Sequence, residues 1–322
     1  MRTRGSVVAE QLARFAHPLE IHLLYASIVW LVAWLLTSMR IGSAATKYWI
    51  WVATSLYFVL PLNAMLALVG TPRFLRMTPL NVIRVAAGVT SKLPFITALL
   101  IVWVLGAVVM LLRLCLRVRA DRLSGASEKP GFVIEGIGVG FGRGPAVEGI
   151  LRPRISLPAG IERLLSKDEL DAVIIHELQH ARRRDNLVRL VYEVSLCALW
   201  FHPLVWFAGS RLALYRELSC DESVIRRARG EDLVSALAKL AIPGEVPLLN
   251  ASASSLITHR LQRLTELQRA SVAANLLLAL AFGAVLLSSV LGAAALGAES
   301  ATCIPPEISE IQLVRQAIHA LH

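Results

Sequence analysis

Residues 166–186 read SKDELDAVIIHELQHARRRDN. Ser166 with Glu169 three positions on has the form of a capping box, and Leu170, Val173, Ile174 and Leu178 recur at helical spacing. Arg182, Arg183 and Arg184 fall at the far end, where positive charge suits the helix dipole. The stretch therefore predicts a helix, and on a helix His176 and His180 lie one above the other on one face. Two imidazoles so placed can hold one zinc ion. Glu177, next to the first, can then take a proton from water held at the metal, which is the chemistry of an H-E-x-x-H pattern.

A catalytic zinc takes three protein ligands and keeps one position open. None of His17, His22, His202, His259, His319 and His322 continues the motif at close spacing. Glu217, in RELSCD (216–221), is the better candidate, because a carboxylate ligates zinc well. Asp221 lies one turn further on the same face and could hydrogen-bond the second ring nitrogen of a ligand histidine, fixing its tautomer.

The apolar stretch 187–209 tests this assignment. As one straight crossing of 23 residues it would be roughly 35 Å long and would put His180 and Glu217 on opposite membrane faces. Zinc ligands must all lie about 2 Å from one ion. His202-Pro203 supplies the break, since proline removes a donor and disfavours helix at its predecessor. A helical hairpin over 187–224 follows, with arms near 187–201 and 204–224 and a site close to the bilayer surface. His202 at its turn reads as a cap or interface residue.

The pattern H-E-x-x-H, then RRDN (183–186), FHPLVW (201–206) and RELSCD (216–221), resembles the bacterial membrane metallopeptidases related to the beta-lactam sensor-transducers, the BlaR/MecR type of peptidase family M56. The likeness runs from about residue 21 to 297. More distantly the zinc motifs are similar to the HtpX and CAAX-prenyl-protease type. The resemblance implies a multi-pass α-helical membrane protein with an inserted, mainly helical gluzincin-type zinc peptidase domain carrying a small β-sheet. It implies Glu217 as third zinc ligand, one Zn2+ per chain, and an edge strand beside the H-E-x-x-H helix that holds substrate extended. It further implies a bacterial inner-membrane location, a catalytic region on the cytoplasmic side, and a protein substrate such as a transcriptional repressor.

Composition agrees with the membrane class. The chain has 322 residues, of which 56% are apolar and only 17% charged. Its formal charge of +10 sits beside apolar stretches rather than in a basic module, so orientation or lipid contact is expected and direct nucleic-acid binding is not. Spans are expected at about 21–39, 48–70 and 93–112 within an N-terminal region 1–116, with Tyr48, Trp49 and Trp51 as an interfacial aromatic anchor. A peptidase domain over 117–271, a fourth span over 272–297 and a short tail over 298–322 complete the plan. The arginines after the third span favour a cytoplasmic peptidase region.

Between 132 and 158, Gly136, Gly138, Gly140, Gly142 and Gly144 suggest a mobile or bulged strand region, followed by a small sheet over 145–158. An amphipathic helix is expected over 231–242 and another over 257–267. No S-x-x-K module fits after residue 297, so a different sensor, a separate sensor protein or the loop 71–92 would supply any signal. Tyr215, Arg216 and Arg211 are candidate donors to the developing oxyanion. Asp185 reads as a helix-end residue, structural or catalytic. Cys220 reads as a fourth ligand, a redox-sensitive neighbour or a buried packing residue. Two further readings stay open: a non-catalytic membrane receptor or scaffold of the same fold, and an HtpX-like quality-control protease.

Overall fold

The computed structural model describes residues 22–60, 93–123, 131–142, 144–227, 229–240 and 271–302. The expected loop 71–92, most of the second span beyond residue 60, the helix 257–267 and most of the tail lie outside them. The described helices are α1 (His22–Ser38), α2 (Ala44–Val59), α3 (Leu93–Leu123), α4 (Ile161–Leu164), α5 (Lys167–Arg183), α6 (Asp185–Ala198), α7 (Pro203–Ile225), α8 (Gly230–Leu240) and α9 (Val272–Thr302). The strands are β1 (Phe132–Ile134), β2 (Ile137–Gly142), β3 (Ala146–Glu148) and β4 (Arg154–Pro158). Residues 26–60 and 98–285 form one compact unit, which carries the H-E-x-x-H helix. The described residues 22–25, 93–97 and 286–302 belong to a second.

Helix α5 starts where its sequence dictates. Ser166 Oγ accepts from Glu169 N at 3.2 Å, and Glu169 Oε2 accepts from Ser166 N at 2.7 Å. The same carboxylate takes the Lys239 ammonium at 2.7 Å and the Ser235 hydroxyl at 2.5 Å, both from α8. The Lys239 hydrogen bond first, then Ser235 and the Ser166 amide, lower the Glu169 pKa to about 2. One capping residue thus also docks α8 onto the start of α5. Val173 and Leu178 of α5 pack with Val139, Ile155, Leu157, Ile161, Leu165 and Ala236 in a single apolar cluster. Each such side chain contributes roughly 1.5–3 kcal/mol when fully buried. This cluster seats the helix on the sheet and leaves its other face to the histidines.

The sheet has the order β1-β2-β4-β3, with β2 and β4 parallel and the outer pairs antiparallel. It starts earlier than the expected 145–158. Gly138, Gly140 and Gly142 of the glycine run lie in β2, a strand that pairs with β1 on one side and β4 on the other, while Gly136 forms the preceding turn. The reason is space. A Cβ at Gly142 would stand 1.9 Å from Ser156 Oγ of the parallel neighbour, so the close approach of β2 to β4 requires glycine there.

Beyond α6 the chain turns at residues 199–202, and Pro203 opens α7 at a position whose N–H would be unsatisfied in any helix. Tyr192 closes the hairpin, its hydroxyl donating to Val205 O at 3.2 Å. Its ring passes over Gly209, where a Cβ would lie 2.0 Å from the phenol oxygen. At the turn, His202 Nε2 lies 3.5 Å from Ser27 Oγ and its ring is 5.4 Å from that of Phe58. His202 is thus an interface residue packed on α1 and α2.

Helix α2 departs from the expected interfacial anchor. Tyr48 and Trp51 are fully buried, while Trp49 is exposed. Trp51 Nε1 donates to Thr37 Oγ1 at 3.2 Å and its ring meets Trp30 edge-on. The aromatics face inward because α2 packs along α7, which demands large side chains on that face. Lys47, beside them, is buried too and donates to Met39 O at 2.6 Å.

Among the described residues two helices are long and apolar enough to cross a membrane, over Ala98–Ala120 and Val272–Leu291. Both leave leucines and valines exposed on most of their surface, the pattern of lipid-facing rather than core helices. α1 is apolar but shorter. α3 continues through Arg113, Arg117 and Arg119 to Leu123, past residue 116 where the N-terminal membrane region is expected to end. Arg117 there pairs with Glu193 of α6 at 2.5 Å.

Candidate metal centre

His176 and His180 are buried on α5, and the hairpin brings Glu217 of α7 to the same point. His176 Nε2 lies 3.2 Å from His180 Nε2, and Glu217 Oε2 lies 3.6 Å and 3.7 Å from the two nitrogens. A tetrahedral ion with bonds of about 2.0–2.1 Å spaces its ligand atoms about 3.3 Å apart, so the three atoms form one face of a zinc-sized tetrahedron. Two imidazoles and one carboxylate are also the donor types that zinc prefers at a catalytic site. The residues present therefore fit the ion.

The far side of each candidate ligand is held. His180 Nδ1 faces Asp185 Oδ2 at 2.6 Å, and His176 Nδ1 lies 3.0 Å from Asp221 Oδ1. Both contacts leave the Nε2 atoms directed at the shared point, the usual role of a carboxylate behind a ligand histidine. Arg216 donates to Glu217 Oε1 through Nε at 3.0 Å and Nη2 at 2.9 Å, which leaves Oε2 for the ion. Burial opposes a charged His180, but the Glu217 carboxylate and the Asp185 hydrogen bond outweigh it and raise its pKa well above the usual range. Burial likewise opposes the Glu217 carboxylate. The positive charge of His180 and Arg216 and the histidine hydrogen bonds outweigh it and hold its pKa well below the usual range. The site is built to concentrate positive charge between its carboxylates.

Asp185 reaches His180 because of one turn. Arg184 ends α5 in the left-handed region, at φ 54° and ψ 47°, and also precedes α6. That conformation costs a non-glycine residue roughly 1–2 kcal/mol. It makes Asp185 the first residue of α6, at the positive end of the helix dipole, and folds its carboxylate back to a residue five positions earlier. Arg183 fixes it further, donating to Asp185 Oδ2 at 2.5 Å, Cys220 Sγ at 3.0 Å and Arg216 O at 3.2 Å, and also to Ser219 Oγ.

The other expected residues are placed as follows. Glu177 is nearly buried on α5, one position after His176. Tyr215, a candidate oxyanion donor, lies about 200° around the helix from Glu217, and its hydroxyl donates to Thr37 O at 2.9 Å. Arg216 is engaged with the ligand carboxylate, so it positions Glu217. Cys220 is fully buried with Sγ 3.5 Å from His180 Nδ1, on the side away from the Nε2 point. His180, Asp185 and Cys220 could themselves gather around a cation, but the Arg183 guanidinium already supplies positive charge there.

β3 and β4 pack on α5, and β3 is an edge of the sheet. Asn186 Nδ2 donates to Val147 O at 2.8 Å and Gly149 O at 3.0 Å, tying the end of β3 to the start of α6. Sequence reading missed this tether, although Asn186 stands directly after Asp185.

Residues 142–264 match the family described as BlaR1 peptidase M56. Among curated proteins, the Regulatory protein BlaR1 of Bacillus licheniformis is 36% identical over 84 residues, 26% of this chain and 14% of that protein. The Methicillin resistance mecR1 protein of Staphylococcus aureus is 27% identical over 82 residues, 26% of this chain and 14% of that protein. A Protease HtpX homolog of Thermococcus sibiricus is 33% identical over 60 residues, 17% of this chain and 20% of that protein. The matched stretch thus spans about one seventh of the length of the first two relatives.

Proposed function

Because this chain is a BlaR/MecR-type member of the peptidase M56 family, we propose that it is a membrane zinc endopeptidase cutting a cytoplasmic or membrane-proximal protein. One observation carries the reading: three ligand atoms 3.2–3.7 Å apart, on a helix whose next residue is the nearly buried Glu177. His176, His180 and Glu217 would hold the ion, one per chain. When bound, zinc would lower the pKa of water and polarise the scissile carbonyl. Glu177 takes the proton of the attacking water and returns it to the leaving amine. Asp221 and Asp185 keep the two imidazoles in register, and Arg216 keeps the Glu217 carboxylate turned. The edge strand β3 packs on the metal-bearing helix, where an extended substrate segment would run beside the site.

The two exposed apolar helices support a place in the bilayer. On this reading it is the inner membrane of a bacterium, with the site on the cytoplasmic side. The substrate is a regulator such as a transcriptional repressor, and a separate sensor protein provides the signal. The test is cleavage of co-expressed cytoplasmic and membrane proteins by the purified chain, with and without a chelator. Cleavage lost on zinc removal and regained on zinc addition is the expected result. Bound zinc with no cleavage of any co-expressed protein would leave two readings, a protease held off until its sensor acts or a receptor that kept the site without the chemistry. Cutting of one regulator rather than of unfolded proteins at large would separate signalling from quality control.

A further inference from the structure

We propose that Tyr48 is a positioning residue for the metal centre, through which helix α2 sets the orientation of His180. This rests on the assignment of His180 as a ligand. The connection is a short chain of direct contacts. Tyr48 donates its hydroxyl to Asp185 Oδ1 at 2.7 Å, and Asp185 Oδ2 receives His180 Nδ1 at 2.6 Å. The two oxygens of one carboxylate thus serve different elements: one holds α2, the other holds the ligand histidine. Arg183 joins both ends, with its guanidinium carbon 4.5 Å from the Tyr48 ring centroid and Nη2 on Asp185 Oδ2 at 2.5 Å.

The contacts are well shielded. Tyr48 is fully buried and Asp185 is 3% exposed, so water cannot readily replace the phenol as a donor. A buried carboxylate deprived of one strong donor must turn or loosen, and its hold on the imidazole loosens with it.

α2 reaches the other ligand-bearing helix as well. Ala45 N donates to Glu222 Oε2 at 3.3 Å and the Lys47 ammonium lies 5.9 Å from the Tyr215 ring centroid, while the Tyr215 hydroxyl donates to Thr37 O of α1. A shift of α2 therefore acts on α7 through packing, but on His180 through one named hydrogen bond. That bond is the point at which the apolar N-terminal part of the chain can alter metal affinity without touching a ligand.

The experiment uses the full chain in detergent. Its readouts are zinc affinity, by competition with a chelating dye, and the visible spectrum of the cobalt-substituted protein. Tyr48→Phe keeps the ring under Arg183 and removes only the hydroxyl, and Asp185→Asn removes the relay at its centre. Loss of a group behind a metal ligand typically weakens binding roughly 10–100-fold. Y48F is expected at the lower end of that range, with a shifted cobalt band. The double variant is expected to bind no more weakly than D185N alone, because both changes break one chain.

An unchanged affinity and cobalt band in Y48F would overturn the relay, even with a lowered melting temperature, since that is what a packing role alone would do. Additive losses in the double variant would overturn it too. Neither readout needs proteolysis, so a chain that binds zinc without cutting anything leaves this test intact. A wild-type chain that takes up no zinc overturns the ligand set and the relay together.

Discussion

Glu177→Gln leaves zinc bound and lowers proteolysis roughly a hundred- to ten-thousandfold, the span attributable to a positioned general base. The substituted amide has nearly the same volume on α5 and the same helix-forming tendency, so His176 and His180 keep the place that the Val173 and Leu178 packing gives their helix. What is lost is the ability to accept a proton from water and pass it to the leaving amine. The ligand set does not include Glu177, so metal content measured by elemental analysis stays at the wild-type level. Paired measurements of zinc content and cleavage on the same preparation decide the matter. Retained cleavage would remove Glu177 from the reaction. Loss of zinc together with cleavage would instead make it part of the metal's environment.

Glu217→Ala has the opposite signature. It removes one of three ligands and also strips Arg216 of the two hydrogen bonds that neutralise it. Zinc affinity should fall by more than about a hundredfold, beyond the roughly 10–100-fold expected for groups that only support a ligand. The metal-free protein should lose stability as well, by about 1–3 kcal/mol, since a partly buried guanidinium is left without its carboxylate. Glu217→Gln would separate the two effects by keeping the shape and one acceptor oxygen while removing the charge. Dye competition reports the first loss and thermal denaturation of the chelated protein the second. Unchanged zinc affinity in E217A would exclude Glu217 as a ligand.

The parts of this site that could be read from the sequence are those governed by local rules. Ser166 and Glu169 are three residues apart and make their own bonds, so the start of α5 is written in them. His202-Pro203 marks the hairpin turn because the break follows from proline's missing donor. The proximity of Glu217 to the histidines needs one long-range condition, that ligands of one ion be close, and that condition forces the hairpin.

What could not be read depends on tertiary detail. Asp185 meets His180 only because Arg184 takes a left-handed conformation, which an arginine does not announce. Tyr48 lies 137 residues before Asp185, and among Trp49 and Trp51 it has the look of an interfacial belt. Only the packing of α2 on α7 turns it inward. Tyr215 misleads for the opposite reason. Close to the ligand in sequence, it lies on a different face of the helix and spends its hydroxyl on Thr37. The glycines of β2 suggest a bulge because the close approach that Gly142 makes to Ser156 belongs to a parallel partner further along the chain.

Zinc X-ray absorption on the purified full-length chain tests the ligand set most directly. Nitrogen and oxygen neighbours at about 2.0–2.2 Å, with two imidazole signatures and no sulfur, are the result expected from His176, His180 and Glu217. A sulfur neighbour at about 2.3 Å would contradict it, placing the ion instead against Cys220 on the Asp185 side of His180.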